Sequence, residues 1–277
     1  MPIDQPDEEE STGGHMSFLD HLEVLRGHII RSLIAVVVFA IGAFIFSDVV
    51  FDGILLAPKY PDFLTYRLLC QISHAMMHDK SLCMEAMNFD LINTSMAGQF
   101  NTHMKISFVS GLTLAFPYLL WEIWRFIKPA LKQKERKHAS GLVFWGSLLF
   151  FIGLAFGYYV ISPMSIYFLG NYQVSQLVEN KISLGSFIDL VVTTSFGSAI
   201  VFELPIVIFF LTKTGILGSE TLKKSRKVSY VVILIIAAII TPPDVTSQIV
   251  VSIPLFILYE VSIAVARRIE RQRRLDS

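Results

Sequence analysis

The stretch Ile29-Ile30-Arg31-Ser32-Leu33-Ile34-Ala35-Val36-Val37-Val38-Phe39-Ala40-Ile41-Gly42-Ala43-Phe44-Ile45-Phe46-Ser47-Asp48-Val49-Val50 decides the fold class. No charge lies between Arg31 and Asp48. Backbone groups in lipid must pair within their own segment, so a run of about 20 mostly apolar residues reads as a membrane-spanning helix. Five further segments qualify or nearly qualify, at residues 106–124, 140–161, 186–212, 228–240 and 248–266. The fourth span is longer than a crossing needs. At about 1.5 Å per residue the fifth covers only half a bilayer before Thr241-Pro242-Pro243-Asp244 stops it. Helices five and six are therefore expected to sit in a locally thinned bilayer. The expected fold class is all-α: a polytopic membrane protein with six transmembrane helices and short fifth and sixth spans.

Composition agrees. Of 277 residues, 53% are hydrophobic and 17% charged, with a mean hydropathy of +0.57, whereas soluble domains carry roughly 25% charge. Twenty-three Lys+Arg balance 23 Asp+Glu, so there is no uniform basic field and no nucleic-acid partner is expected.

The zero net charge hides a segregation of sign. Arg125, Lys128, Lys132, Lys134, Arg136 and Lys137 lie between spans two and three. Lys213, Lys223, Lys224, Arg226 and Lys227 lie between spans four and five, and five arginines follow span six. Short cytoplasmic loops retain positive charge, so these three face inward and both termini are expected to be cytoplasmic. Residues 1–15 are acidic and poor in apolar side chains, and are expected to be disordered, without a cleavable leader; Met16 offers a second possible start. Residues 16–268 would form the membrane domain, with an outer loop at 51–105, and 269–277 a basic tail. Cys70 and Cys83 both fall in that outer loop; a disulfide in an oxidising compartment and two separate thiols are both compatible with their spacing.

Chemistry of the covalent kind finds no support. Phosphate-cradling glycine loops, H-E-x-x-H and G-x-S-x-G are missing, and the seven histidines are scattered, so no catalytic residue, metal or cofactor is expected. Polar groups inside the membrane are more informative, because a charge at the bilayer centre costs about 2.5–3.5 kcal/mol on insertion scales. Glu203, beside Pro205 in the fourth span, is the clearest case. It either holds the bundle by an interhelical hydrogen bond or lines a path for substrate or a partner helix. Glu260 lies nearer the inner interface. Glu23 and Glu135 lie on the inner side near Arg26 and Arg136, and in isolation each reads as a neutralised surface charge.

A longer pattern changes the weight of these acids. Met16-Ser17-Phe18-Leu19-Asp20-His21-Leu22-Glu23-Val24-Leu25-Arg26 resembles the amino-terminal HLxELR segment of the TatC family of twin-arginine protein translocases. Trp124-Arg125-Phe126-Ile127-Lys128-Pro129-Ala130-Leu131 followed by Glu135-Arg136 is similar to that family's first cytoplasmic loop. Phe202-Glu203-Leu204-Pro205 is similar to its FExP, and Thr241-Pro242-Pro243-Asp244 with Ser247-Gln248 to its TPPDxxSQ.

The resemblance implies a receptor, in a bacterial cytoplasmic membrane, for signal peptides with two consecutive arginines. The receptor belongs to a complex that exports folded proteins using the proton-motive force. It also implies TatA and TatB partner subunits with single spans, self-association and contact with lipid. Two inner glutamates would bind the arginine pair, whose planar donor forks match carboxylates in a way lysine cannot. Carried onto this chain, the pocket would hold Glu135 first and Glu23 second, with Leu25, Arg26 and Phe126 beside them. The family's usual glutamate falls at Val24, so Glu23 is displaced by one residue, about 100° around a helix. Glu203, Thr241 and Gln248 would form a polar patch for partner helices. Pro58 and Pro117 would shape the outer cap and the second span. The rival functions are a secondary transporter of a small solute, which would favour inverted repeats, and a membrane scaffold.

Overall fold

The computed structural model describes residues 18–76, 89–128, 139–175, 177, 180–242 and 245–275. The first span is α1 (Phe18–Ile45). Its outward stripe of Ile29, Leu33, Ile34, Val37, Val38, Ile41 and Ile45 stays exposed, as lipid contact requires, while His28, Val36 and Ala43 face inward. After α2 (Leu64–Met76) in the following loop, α3 (Gly98–Ile127) makes the second crossing.

The third crossing is composite: α4 (Ala139–Phe156), a π-helical turn at Gly157–Ile161 and α5 (Ser162–Asn171). The fourth joins α6 (Leu184–Phe202) to α7 (Leu204–Lys213). The break falls at Glu203 because Pro205, which has no N–H to donate, occupies the first turn of α7. A short α8 (Ser219–Lys224) leads to α9 (Arg226–Ile240) and α10 (Val245–Leu275).

Five of these crossings are long and apolar enough to span a membrane by themselves. The remaining one, α9, has 15 residues, which at 1.5 Å each is about 22 Å against a hydrocarbon core of about 30 Å. The fifth span is thus short, as expected, and its end follows from the extended backbone at Thr241 before Pro242. The sixth departs from expectation. Its helix has 31 residues, and 25 of them, Ser247–Arg271, are long and apolar enough to cross. Helix-favouring Arg, Glu, Gln and Leu carry it through the basic tail instead of ending it near Ala266. A second departure is a parallel pair of short strands, β1 (Asp90–Ile92) and β2 (Lys181–Ser183), with Asp90 opposite Lys181. Three-residue strands carry too little periodicity to be seen in the sequence.

Small residues allow the helices to approach closely. A Cβ on Gly111 would lie 2.7 Å from the Val36 carbonyl oxygen and from the Ala40 nitrogen, so α3 touches the backbone of α1 there. A Cβ on Gly157 would lie 2.4 Å from the Thr194 carbonyl oxygen, which seats the third crossing directly on α6. Beside it the Ser162 and Thr194 hydroxyls share a hydrogen bond of 2.6 Å.

Apolar clusters then fill the bundle at different levels. Leu55, Phe89, Ile106, Ile166 and Phe187 pack at the end opposite the basic loops. Trp124 and Leu142 pack with Phe209 and Phe210 at the basic end. Cys70 lies in α2 and is not a free thiol, while Cys83 lies outside the described residues. At the same cap, the Tyr66 hydroxyl donates to the carbonyls of Pro58 and Pro163, at 2.9 and 3.3 Å.

Candidate functional site

The basic end brings together the start of α1 and the end of α3. Toward α3, α1 presents Leu25, His28, Ser32 and Val36 at helical spacing, and from Leu25 onward these are half-buried or buried. Phe126, on the last turn of α3, meets the His28 ring edge-on at a centroid distance of 5.8 Å. Of the residues expected in a signal-peptide pocket, Leu25 and Phe126 therefore lie on the two sides of one helix junction. Glu23 and Arg26 are exposed. Glu23 precedes His28 by five residues, about 140° away around the helix at ~100° per residue, and Arg26 is turned away by a similar angle. Val24, at the position where the resembling family carries its glutamate, lies about 40° from the His28 direction and is itself exposed. Glu135 lies outside the described residues.

A group that the sequence reading passed over lies at the centre of the junction. Glu122, on α3, is only 1% exposed. The Arg31 Nε donates to its Oε1 at 3.0 Å, Arg31 Nη2 to its Oε2 at 3.3 Å, and the Tyr118 hydroxyl to Oε1 at 2.8 Å. His28 Nδ1 lies in hydrogen-bond contact with Oε2 as well, and with Arg31 Nη2 at 3.0 Å. One carboxylate is thus held by three side chains, two of them from the neighbouring helix. A signal was available: Arg31 and Glu122 are opposite charges inside the apparent limits of spans one and two, where unpaired charge is costly.

The three residues expected to form an intramembrane patch are separated. Thr241 donates to the Ala237 carbonyl at 2.9 Å and Gln248 to the Leu234 carbonyl at 3.3 Å, both on α9. Thr241 also lines a cavity of about 490 Å³ with Ser186, Asp189, Thr193 and Pro242. Glu203 points elsewhere, toward Gly146 of α4, where a Cβ would lie 3.4 Å from its Oε2. It is 8% exposed and neither oxygen has a partner among the described residues. The Trp124 indole N–H, in the adjoining cluster, is also buried without a partner.

Glu260 is engaged by Arg226 at 2.6 Å and by the Tyr230 hydroxyl at 2.9 Å, so it ties α10 to α9. Among the described residues no three His, Cys, Asp or Glu side chains gather as a metal site would require. What the described geometry offers at this junction is a buried, fully engaged carboxylate one helical turn from the Phe126 ring.

A helical bundle of five long crossings and one undersized one defines a multi-pass membrane protein. The model of the Sec-independent protein translocase protein (TatC) family matches residues 20–254, and the chain belongs to that family. A Sec-independent protein translocase protein TatC from Blattabacterium sp. subsp. Periplaneta americana is 38% identical over 261 residues, covering 93% of this chain and 97% of the relative. Its counterpart from Carboxydothermus hydrogenoformans is 34% identical over 256 residues, covering 92% and 94%. A crystal structure of the twin arginine translocase receptor TatC superposes with a TM-score of 0.68 at 32% identity, covering 90% of this chain and 99% of that one. The chain is a core subunit of a Sec-independent protein translocase, and the family motifs found in the sequence had pointed to this same family.

Proposed function

We propose that this chain recognises signal peptides bearing two consecutive arginines on folded cargo, at the junction of α1 and α3, in a bacterial cytoplasmic membrane. Both termini face the cytoplasm, as the three basic loops favour. Glu135 supplies the principal carboxylate, Phe126 and Leu25 the apolar wall, and the exposed Glu23 a second, outlying acid near Arg26. The chain performs no covalent step: it binds, gathers partners and lets the proton-motive force drive transport. The observation that supports the reading is the packing of the α1 start against Phe126, on the last turn of α3, through His28.

Glu203 provides the second half of the function. A buried carboxylate without a partner is unfavourable, and a polar group from an entering helix would relieve it. We therefore assign Glu203 to the capture of TatA- or TatB-type single-span subunits, with Thr241, just past the end of α9, and Gln248, on the first turn of α10, contributing as well. Pairing of Cys70 with Cys83 in the outer loop belongs to the same proposal as a brace.

Binding of an Arg-Arg signal peptide and its Lys-Lys version to the purified full chain tests recognition. The Arg-Arg peptide should bind at least about tenfold tighter, the worth of one charge-assisted contact, and Glu135→Ala should erase the difference. Equal binding of both peptides would favour a scaffold instead.

A further inference from the structure

We infer that the Glu122 cluster is a positioning device for the arginine-recognition junction, fixing how the amino-terminal turn of α1 is rotated against the exit of α3. This rests on the recognition function proposed above. Glu122 does not touch cargo, since it is 1% exposed. It acts through neighbours on both sides. On α3 it stands one turn before Phe126, at the i, i+4 spacing that shares a helix face. On α1 it grips His28 and Arg31, and His28 in turn meets the Phe126 ring.

Its geometry is directional. The Arg31 guanidinium reaches both carboxylate oxygens, at 3.0 and 3.3 Å, and such a fork tolerates little rotation. Tyr118 clamps Oε1 from the same helix. Packing alone would hold two apolar helices together: at Gly111 they already meet backbone to backbone. Dispersion contacts at such a seam leave the helices free to rotate by a few degrees about it. A multiply hydrogen-bonded carboxylate removes that freedom at the end where a peptide is read. An ion pair with one member out of water often adds no more stability than apolar residues of equal volume would; here Glu122 is buried while Arg31 is half-exposed, and fixing one arrangement is the account we give the pair.

The experiment compares the full chain with Glu122→Gln, Tyr118→Phe and Glu135→Gln variants in detergent or nanodiscs. Each is measured for thermal unfolding and for binding of the Arg-Arg and Lys-Lys peptides. Glu122→Gln should reduce Arg-Arg binding by about tenfold and bring the two peptides close together, the loss expected when one charge-assisted anchor is removed. Tyr118→Phe removes a single hydrogen bond with little change of shape, and should narrow the discrimination by about threefold. If Glu122→Gln does not fold, Tyr118→Phe alone decides. Folding stability that falls while the Arg-Arg to Lys-Lys ratio stays at the parent value overturns the inference, because that is the mark of a merely structural pair. An unchanged ratio with unchanged stability overturns it too. Should Glu135→Gln keep full discrimination, the recognition function itself fails, and that outcome is distinct from either of the others.

Discussion

Glu270 on α10 accepts a hydrogen bond of 2.7 Å from the Ser219 backbone amide and another from the Ser219 hydroxyl, so the end of the sixth crossing caps the start of α8. An amide at a helix start has no partner within its own helix, and a carboxylate placed there also complements the helix dipole. The connection between spans four and five is thereby fastened to the helix that continues through the basic tail.

Replacing Glu270 by Ala should cost about 1–2 kcal/mol, the loss of two hydrogen bonds to a charged acceptor discounted for partial exposure. Limited proteolysis between Lys213 and Lys224 gives the readout, with faster cleavage expected in the variant. Equal cleavage rates would show that the strap does not hold the loop.

Glu203 gives the opposite expectation for an acidic residue. With both oxygens buried and unpartnered among the described residues, its removal should not weaken the isolated chain. Glu203→Leu is expected to unfold at the same temperature or a few degrees higher, while co-purification of a single-span partner subunit falls several-fold. A drop in stability of more than about 2 kcal/mol would mean the carboxylate is satisfied within this chain.

Gly111 and Gly42 form an internal comparison between two glycines in helix interiors. A Cβ at Gly111 meets the α1 backbone at 2.7 Å, whereas at Gly42 nothing lies within 4 Å. Gly111→Ala should therefore destabilise by about 1–3 kcal/mol by forcing α1 and α3 apart. Gly42→Ala should be neutral or stabilise by up to about 1 kcal/mol, since alanine is the better helix former. Thermal melts of the two variants in one detergent give the ordering.

Tyr66 predicts a pH effect at the outer cap. Burial raises its phenol above the ordinary value of 10.0, so the folded state favours the neutral, hydrogen-bonding form. The unfolded phenol ionises first on raising pH. The stability that the group contributes is complete below about pH 10 and is lost progressively as pH rises from there toward the folded value. Denaturation between about pH 9 and 11 should show a shallower loss for Tyr66→Phe than for the parent, and parallel curves would disprove the assignment.

Much of the fold was legible because lipid allows so few solutions. A run such as residues 29–50 can only be a helix across the membrane. The proline-led end at Thr241 was equally readable, since a missing amide ends a helix there; the break at Glu203 was not, because residues 186–212 read as one apolar span. The length of the sixth helix was not, because hydropathy marks where lipid ends and says nothing of where helix ends; Arg267 to Arg274 are mostly charged or polar, yet helical.

The site divided in a similar way. Glu203 stood out as a lone acid within an apolar run. Glu122 did not: its meaning depends on Arg31 and His28, 91 and 94 residues away, and pairing of that kind is visible only once α1 and α3 are placed side by side. The rotation of Glu23 away from α3 also followed only from seeing which face of α1 is covered.

The strand pair β1–β2 imposes an order on biogenesis. Its halves are separated by the second and third crossings, and parallel pairing requires both to emerge on the same side. The Arg31–Glu122 clasp needs only the first two crossings and can close while synthesis continues; the β1–β2 stitch must wait for the third. A chain interrupted after α3 would carry its α1–α3 junction intact and its opposite rim unsewn.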